Sequence, residues 1–487
     1  MDWDKLFRPR SIAVIGASAK QGININLFFP SLVKAKFPGK LYPVNPRVSE
    51  VMGYPAYRSV REIPDPVDYA IIAVPREKVL GVLEDCIAKG VFAAHIFTAG
   101  FSETNTPEGK RLNQELKELA SGRIRIIGPN CVGIYCPGAH MAYLPQQTIM
   151  AGDIGFVSQS GGHNSLFIET ATSQGLYFSK AVSLGNAMDL RVNDFLEYLG
   201  GDPETRIMGC YVEGMEDVEG RRFFELVRKI SPVKPVMIMK AGRAEAGSRA
   251  AGSHTGSLAG SYPLWKSIAT QANAVLVNDF TEMVDFIWIY KCLRRLPGLR
   301  AGVVCGGGGN SVWCADSLCS FGLTMPPLSP QTQKKLLQLT DAVGTIVQNP
   351  IDPNFSMLDP EVHYRVFEIL DAQQDIDILI NIGVFDFTYH MMKTWGVFTQ
   401  EELIQNEIKR LTTIGKRVKK PFVAVLFHVA ENADMSEILN RVRQQVRKCG
   451  VPCYSSMERM ATSILRLKAY CERRESIRPP YRTYSLP

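Results

Sequence analysis

A chain of 487 residues, 46% hydrophobic and 21% charged, has the composition of an ordinary globular protein and the length of about three domains. A formal charge of +7 is mild for that length and gathers into no Lys/Arg-rich run, which argues against nucleic acid and suits an anionic ligand. No apolar run reaches the length of a membrane span, MDWDKLFRPR lacks a signal-peptide core, and eleven scattered cysteines without a C-x-x-C pair point to reduced thiols in the cytoplasm.

In chain order, short apolar runs alternate with helical patterns, the signature of parallel α/β units. The first block reads SIAVIG (11–16), KLYPVNP (40–46), VDYAIIAVP (67–75), FAAHIFTAG (92–100) and IRIIGPN (124–130). Residues 135–152 lack helical periodicity, carry two Pro and two Gly, and read as a linker. The second block runs DIGFVSQSGG (153–162), FSKAVSLGN (178–186), RIMGCYVEG (206–214), PVMIMKAG (235–242) and AVLVND (274–279). After a boundary at 292–300 come AGVVCGGGGN (301–310), IDILINIGVF (376–385), PFVAVLFHVA (421–430) and VPCYSS (451–456). We therefore expect three doubly wound domains, at 1–134, 152–294 and 300–472, with an extended tail over 473–487.

Three strand exits could seat an anion, because glycine lets backbone approach a ligand and a helix N-terminus offers free N–H groups. VIGASAKQG is an imperfect dinucleotide fingerprint: Gly16 and Gly22 are in place, but no acidic residue ends the second strand, where Asn45 and Arg47 stand instead. Arg47 favours a phosphate over a bare ribose hydroxyl, although any α/β domain carries a glycine at its first turn. Ser160, Gly161 and Gly162 of SQSGG form a second candidate seat. CGGGGNS (305–311) reads as a turn packed closely against a neighbouring domain. The stretch KAGRAEAGSRAAGSHTGSLAG (240–260) places His254 among small residues, with neither the further ligands of a metal site nor the apolar neighbours of a core histidine. That leaves a loop presenting one nucleophilic ring, and no metal is expected.

Taken in order, GASAKQG, YPVNP, AVP, TAGF, IGPNCVG, VSQSGG, SLGN, YVEG and the SHTG loop give the chain its resemblance to the α subunit of NDP-forming acyl-CoA synthetases. This is the ADP-forming acetate–CoA ligase group related to succinyl-CoA synthetase, and the resemblance covers about residues 5 to 470. It implies a Rossmann-like CoA-binding domain followed by two flavodoxin-like domains. CoA would lie against Gly16, Ala17, Ser18, Gly22, Asn45, Arg47, Val74, Pro75, Thr98, Ala99, Gly100 and Asn130. His254 would carry the phosphoryl group, Glu213 would orient its ring, and Ser160, Gly161 and Gly162, with Ser253 and Thr255 flanking the histidine, would hold the phosphate. The activity implied is acid plus CoA plus ATP to acyl-CoA, ADP and phosphate, through phosphohistidine and acyl-phosphate intermediates. Because no ATP-grasp domain is recognisable, ATP or ADP with Mg would sit on a separate ATP-grasp β subunit, in a hetero-oligomer such as α2β2 acting on a small carboxylic acid.

The residues speak against two other functions. A non-catalytic CoA-binding or sensing protein would have no physical need for His254 and Glu213. An NAD-dependent oxidoreductase would need the ribose-binding acid that is missing after the second strand. His163, just after SQSGG, stands where relatives carry a small or apolar residue, which leaves two roles open: contact with the acyl substrate or a helix cap.

Overall fold

The computed structural model describes every residue except 19–26, 216, 250–260, 341–343, 384, 397, 429–432 and 478–487. The chain forms two compact units, Met1–Phe280 and Thr281–Ser476.

Unit one holds two sheets. The first is built from β1 (Ser11–Ile15), β2 (Lys40–Val44), β5 (Tyr69–Ile72), β6 (Ala93–Ile96) and β7 (Arg125–Ile127), all parallel in the order β2-β1-β5-β6-β7. A small hairpin of β3 (Glu50–Val51) and β4 (Tyr54–Pro55) forms its own two-stranded sheet beside β2, and Tyr57 N just after it donates to Pro43 O at 3.0 Å. Every residue of β1, β5 and β6 is buried, as strands covered by helices on both faces must be, and this explains why they read as continuous apolar runs.

The second sheet contains β8 (Gly133–Tyr135), β9 (Ile154–Ser158), β10 (Phe178–Ser183), β11 (Ile207–Val212), β12 (Val236–Lys240) and β13 (Val275–Val277). Its order is β13-β12-β11-β9-β10-β8, with only β8 antiparallel. In unit two, β14 (Ala301–Cys305), β15 (Ile378–Gly383), β16 (Phe422–Leu426) and β17 (Cys453–Tyr454) are parallel in that order, and Ile351 bridges to Val304 on the outer side of β14. Each sheet thus reverses its winding between its first and third strand positions, the flavodoxin-like order.

Two expectations need correction. The segment read as a linker opens on β8 and is packed rather than free: Tyr135, Met141 and Tyr143 are buried, and the Tyr135 hydroxyl donates to Thr148 O at 2.6 Å. Its aromatic residues supply a buried edge that its Pro and Gly content concealed. The stretch read as an extended tail from 473 begins instead as the end of the helix Met457–Ile477. That helix is held by Arg459, which donates twice to Asp285 at 2.7 Å, and by Arg466, which donates to Glu282 at 2.7 Å.

Candidate functional site

Open α/β sheets bind ligands beyond the C-terminal ends of their strands, at the point where the strand order reverses. In unit one this gives two crevices, one between the exits of β1 and β5 and one between those of β9 and β11.

At the first crevice, Gly16 has φ +89° and a Cβ there would lie 2.2 Å from Ala73 O, so only glycine lets the two exits run this close. Gly16 N donates to Val44 O at 2.9 Å, and Asn45 Nδ2 reaches across to Ala17 O at 2.9 Å. The Asn45 side-chain oxygen accepts from Arg47 N at 2.9 Å, which turns the chain and leaves Arg47 exposed. Thr98 Oγ1 donates to Val74 O at 2.7 Å, and Asn130 N donates to Thr98 O at 3.0 Å. The structure therefore brings Gly16, Ala17, Asn45, Val74, Thr98 and Asn130 to one end of the sheet. Pro75 and Ala99 are exposed next to Val74 and Thr98, Ser18 is the last described residue after β1, and Gly22 lies outside the described residues. Gly100 N donates to Glu103 Oε1 at 2.5 Å. Glu103, which the sequence reading passed over, also accepts from Asn186 Nδ2 at 2.5 Å.

That contact belongs to a seam joining the two crevices. Asn186 N donates to Pro129 O at 3.0 Å, Met188 N to Gly128 O at 3.1 Å, and Val132 N to Ser183 Oγ at 3.4 Å. Arg125 forks onto Asp189 at 2.8 and 2.9 Å. The segment carrying Asn130 thus continues directly toward the second crevice.

There, Ser160 caps the helix Gly161–Thr172, its hydroxyl accepting from His163 N at 3.3 Å. Gly161 and Gly162 form the first turn, where backbone N–H groups lack intrahelical acceptors. Gln159 ties this loop to the β11 exit: its Oε1 accepts from Glu213 N at 2.5 Å and Gly214 N at 3.2 Å, and its Nε2 donates to Gly214 O at 2.9 Å. Glu213 is 5% exposed. The Lys240 ammonium, ending the neighbouring β12, donates to Glu213 O at 2.8 Å and also to Ala241 O. Burial pulls the Lys240 pKa down to about 8, opposed by the charge of Glu213. Burial, with the charge and hydrogen bond of Glu213 adding to it, pushes the Tyr211 phenol up and keeps it neutral.

His254, Ser253 and Thr255 lie outside the described residues. The described chain leaves the sheet at the end of β12, beside β11, whose last residue Val212 precedes Glu213. The capping residue is Ser160, to whose hydroxyl His163 gives its backbone N–H, and the His163 ring lies parallel to that of Tyr211, with centroids 4.3 Å apart and planes at 9°. Gln159 and Tyr211 stand inside the motifs SQSGG and YVEG, so a signal was present, but neither received a role from the sequence.

A cavity where β10 and β11 begin is lined by Trp3, Arg8, Lys180, Tyr198 and Glu204 among others. Its buried Lys180 donates to Asp202 at 2.8 Å and Glu204 at 2.7 Å, under the rings of Phe7 and Tyr198. A cation paired in this way acts as a structural tie between the N-terminal helix and the second sheet.

A CoA binding domain profile matches residues 10–137, and a succinyl-CoA ligase like flavodoxin domain profile matches residues 151–289. The chain is 37% identical over 467 residues to the acetate–CoA ligase [ADP-forming] II subunit alpha of Pyrococcus furiosus, covering 94% of this chain and 96% of that one. It is 36% identical to the acetate–CoA ligase [ADP-forming] I of Archaeoglobus fulgidus over 78% of this chain, and spans about half of that longer relative (54%). Among solved structures, the dinucleotide forming acetyl-coenzyme A synthetase 1 of Ca. Korarchaeum cryptofilum, in complex with phosphate and ADP, superposes with a TM-score of 0.81 at 28% identity, covering 98% of each chain.

Proposed function

Because the chain belongs to the ADP-forming acetate–CoA ligase family, we infer that it is the α subunit of an ADP-forming acyl-CoA synthetase, which joins a carboxylic acid to CoA and converts ATP to ADP and phosphate. The observation that carries this is the 37% identity to a subunit of that name, spread over 94% of the chain. The non-catalytic CoA-sensing reading has no observation in its favour.

On this reading CoA occupies the first crevice. The floor there is backbone, opened by Gly16 and held by Asn45 and Thr98, and the exposed Arg47 suits a phosphorylated ligand. His254 attacks the terminal phosphorus of ATP, and ADP leaves. An oxygen of the acid then attacks that phosphorus, forming an acyl phosphate and freeing the imidazole. Finally the CoA thiolate attacks the acyl carbon and phosphate departs. A neutral imidazole is a competent nucleophile near pH 7, and a carboxylate at its far nitrogen fixes the tautomer and supports the cationic phospho-imidazole. Glu213 has that role, held in place by Gln159 and Lys240 through its backbone. Ser160, Gly161 and Gly162 hold the transferring group at a helix N-terminus, where the dipole and free N–H groups favour negative charge. ATP with Mg binds on a separate ATP-grasp β subunit, in an assembly such as α2β2, in the cytoplasm. Among the described residues no helix is long and apolar enough to cross a membrane.

The test is co-purification with that β subunit and a panel of carboxylic acids assayed for CoA-dependent phosphate release. One or more small acids should support turnover, while the isolated chain should form no ADP. Tighter binding of NAD than of CoA to the isolated chain, or robust ADP formation without a partner, would overturn the reading.

A further inference from the structure

The hydroxyl of Ser160 has one proton to give, and the side chain of His163 stands where it controls that proton. Ser160 Oγ already accepts from His163 N at 3.3 Å, and His163 Nδ1 lies 3.1 Å from the same oxygen. When Nδ1 carries no proton, the hydroxyl donates to it and is an acceptor toward everything else. When Nδ1 carries a proton, as it must in the doubly protonated ring, Nδ1–H donates to Oγ and the hydroxyl can turn its own proton toward another acceptor. The imidazole cannot easily turn away. It is stacked on Tyr211 at 4.3 Å, and the Phe280 ring centroid lies 5.6 Å from its own. The buried carboxylate of Glu213, two residues after Tyr211, bears on the Tyr211 phenol through its charge.

We propose that His163 is a positioning residue that takes up a proton when a tetrahedral oxyanion binds at Ser160–Gly162, turning the Ser160 hydroxyl from a cap that only accepts into a donor to that oxyanion. This rests on the reading of that loop as the phosphoryl seat and adds to it the device that sets its charge. Among the described residues, the titratable groups on the packed elements include Tyr211 on β11 and Glu213 just after it, Lys240 at the end of β12, Glu169 on the capped helix, and Asp279 and Glu282 beside Phe280. Tyr211 stays neutral near pH 7. Imidazole is the side-chain type that exchanges a proton between pH 5 and 8. The protonated state gives the anion a charge-assisted environment at the positive end of a helix, so anion binding and proton uptake favour one another. The consequence is oxyanion binding at that loop that strengthens as pH falls toward 6.

Sulfate is the probe, because its charge is constant near neutrality whereas phosphate itself titrates. The full chain is titrated with sulfate by calorimetry at pH 7 in two buffers of different ionisation heat, and the difference reads out the protons taken up. The wild-type protein should take up a substantial part of one proton. In His163→Asn, whose amide can reach the same hydroxyl without titrating, uptake should vanish. Sulfate affinity of that variant should fall about ten-fold at pH 6 and much less at pH 8, the scale of one lost charge-assisted contact. His163→Phe, which keeps the ring stack, should behave like the Asn variant if the effect is the proton and not the packing. Equal proton uptake in wild type and both variants, or sulfate binding with no uptake at all, overturns the proposal and leaves the phosphoryl seat standing. No sulfate binding to the wild-type chain at millimolar concentration overturns both.

Discussion

The exit loops of β9 and β14 stand at the same place in sheets of the same winding, yet they are equipped differently. After β9 the side chains are polar and committed: Gln159 clamps the backbone at Glu213 and Gly214, and Ser160 caps the helix. After β14 the capping position is Gly307, which has no side chain to cap with and adopts φ +94°. The side chains flanking that loop are two thiols, Cys305 and Cys314, with sulfurs 3.4 Å apart, and their hydrogen bond together with burial holds the Cys305 thiol far up in pKa. Topology supplies a crevice and unpaired N–H groups in both places. In the β9 loop a polar side chain crosses to the next strand exit, where Gln159 binds the backbone at the buried Glu213, whereas beside the β14 exit the buried carboxylate is Asp352, whose charge acts on the Cys305 thiol.

If the chemistry belongs to the β9–β11 side, the largest effects belong there too. His254→Ala should lower ligation by about a thousand-fold or more while leaving CoA binding intact, because the nucleophile is lost and the first crevice is untouched. Incubation with the β subunit and labelled ATP should label the wild-type chain with an acid-labile, alkali-stable phosphoryl group. A label that survives acid and sits on Ser253, or full activity in His254→Ala, would falsify the assignment. Glu213→Gln should slow phosphorylation by about ten- to a hundred-fold, since it orients the ring without being the nucleophile. Adding it to His254→Ala should cost little more, because groups acting as a unit are not additive.

The two caps allow the contrast to be sharpened in stability. Gly307→Ala should destabilise the protein by about 1 kcal/mol or more, because a residue with a Cβ is strained at φ +94°. Ser160→Ala should cost about 1 kcal/mol through the lost cap, but Ser160→Gly only a few tenths. Melting curves of the three variants decide it, and equal shifts for Ser160→Ala and Ser160→Gly would show that the hydroxyl is not a cap. Lys240 adds a pH-dependent effect on the same side. Its folded pKa, about 8, lies below the ordinary 10.5, so between those values the unfolded chain holds a proton that the folded chain has released. Stability relative to Lys240→Met should therefore rise from pH 8 to pH 10. A wild-type stability, taken minus that of the variant, that stays constant or falls over that window would mean that the ammonium is not desolvated as its surroundings imply.

The same contrast explains what could be read from the sequence. The strands covered on both faces announce themselves as apolar runs, whereas β3, β4 and β8, of two or three residues, are too short to carry a period. Glu213 and the Ser160 loop were legible because they sit in motifs. The roles of Gln159, Tyr211 and Lys240 depend on parallel register instead, with Tyr211 opposite Ser158 and Val212 opposite Lys240. Sequence spacing carries no record of that register, since each partner comes from a different βα unit.

The smallest expected effect tests how many glycines the β14 loop requires. A run of four reads as one flexible, closely packed turn, but the described positions differ from one another. At Gly307 the backbone itself demands glycine. At Gly308 a Cβ would lie in ordinary contact, 3.4 Å from Ile346 Cδ1, and at Gly309, the second residue of the helix Gly308–Ser320, it would meet nothing within 4 Å. Alanine at 309 fits the helical conformation and restricts the unfolded chain, so Gly309→Ala should stabilise by about 0.5 kcal/mol. For a unit of this size that is a rise in melting temperature of about 1–2 °C, opposite in sign to the fall expected for Gly307→Ala two residues away. A fall at both positions would mean that the loop is packed tightly along its whole length, as its sequence first suggests, and the distinction drawn between its glycines would be lost.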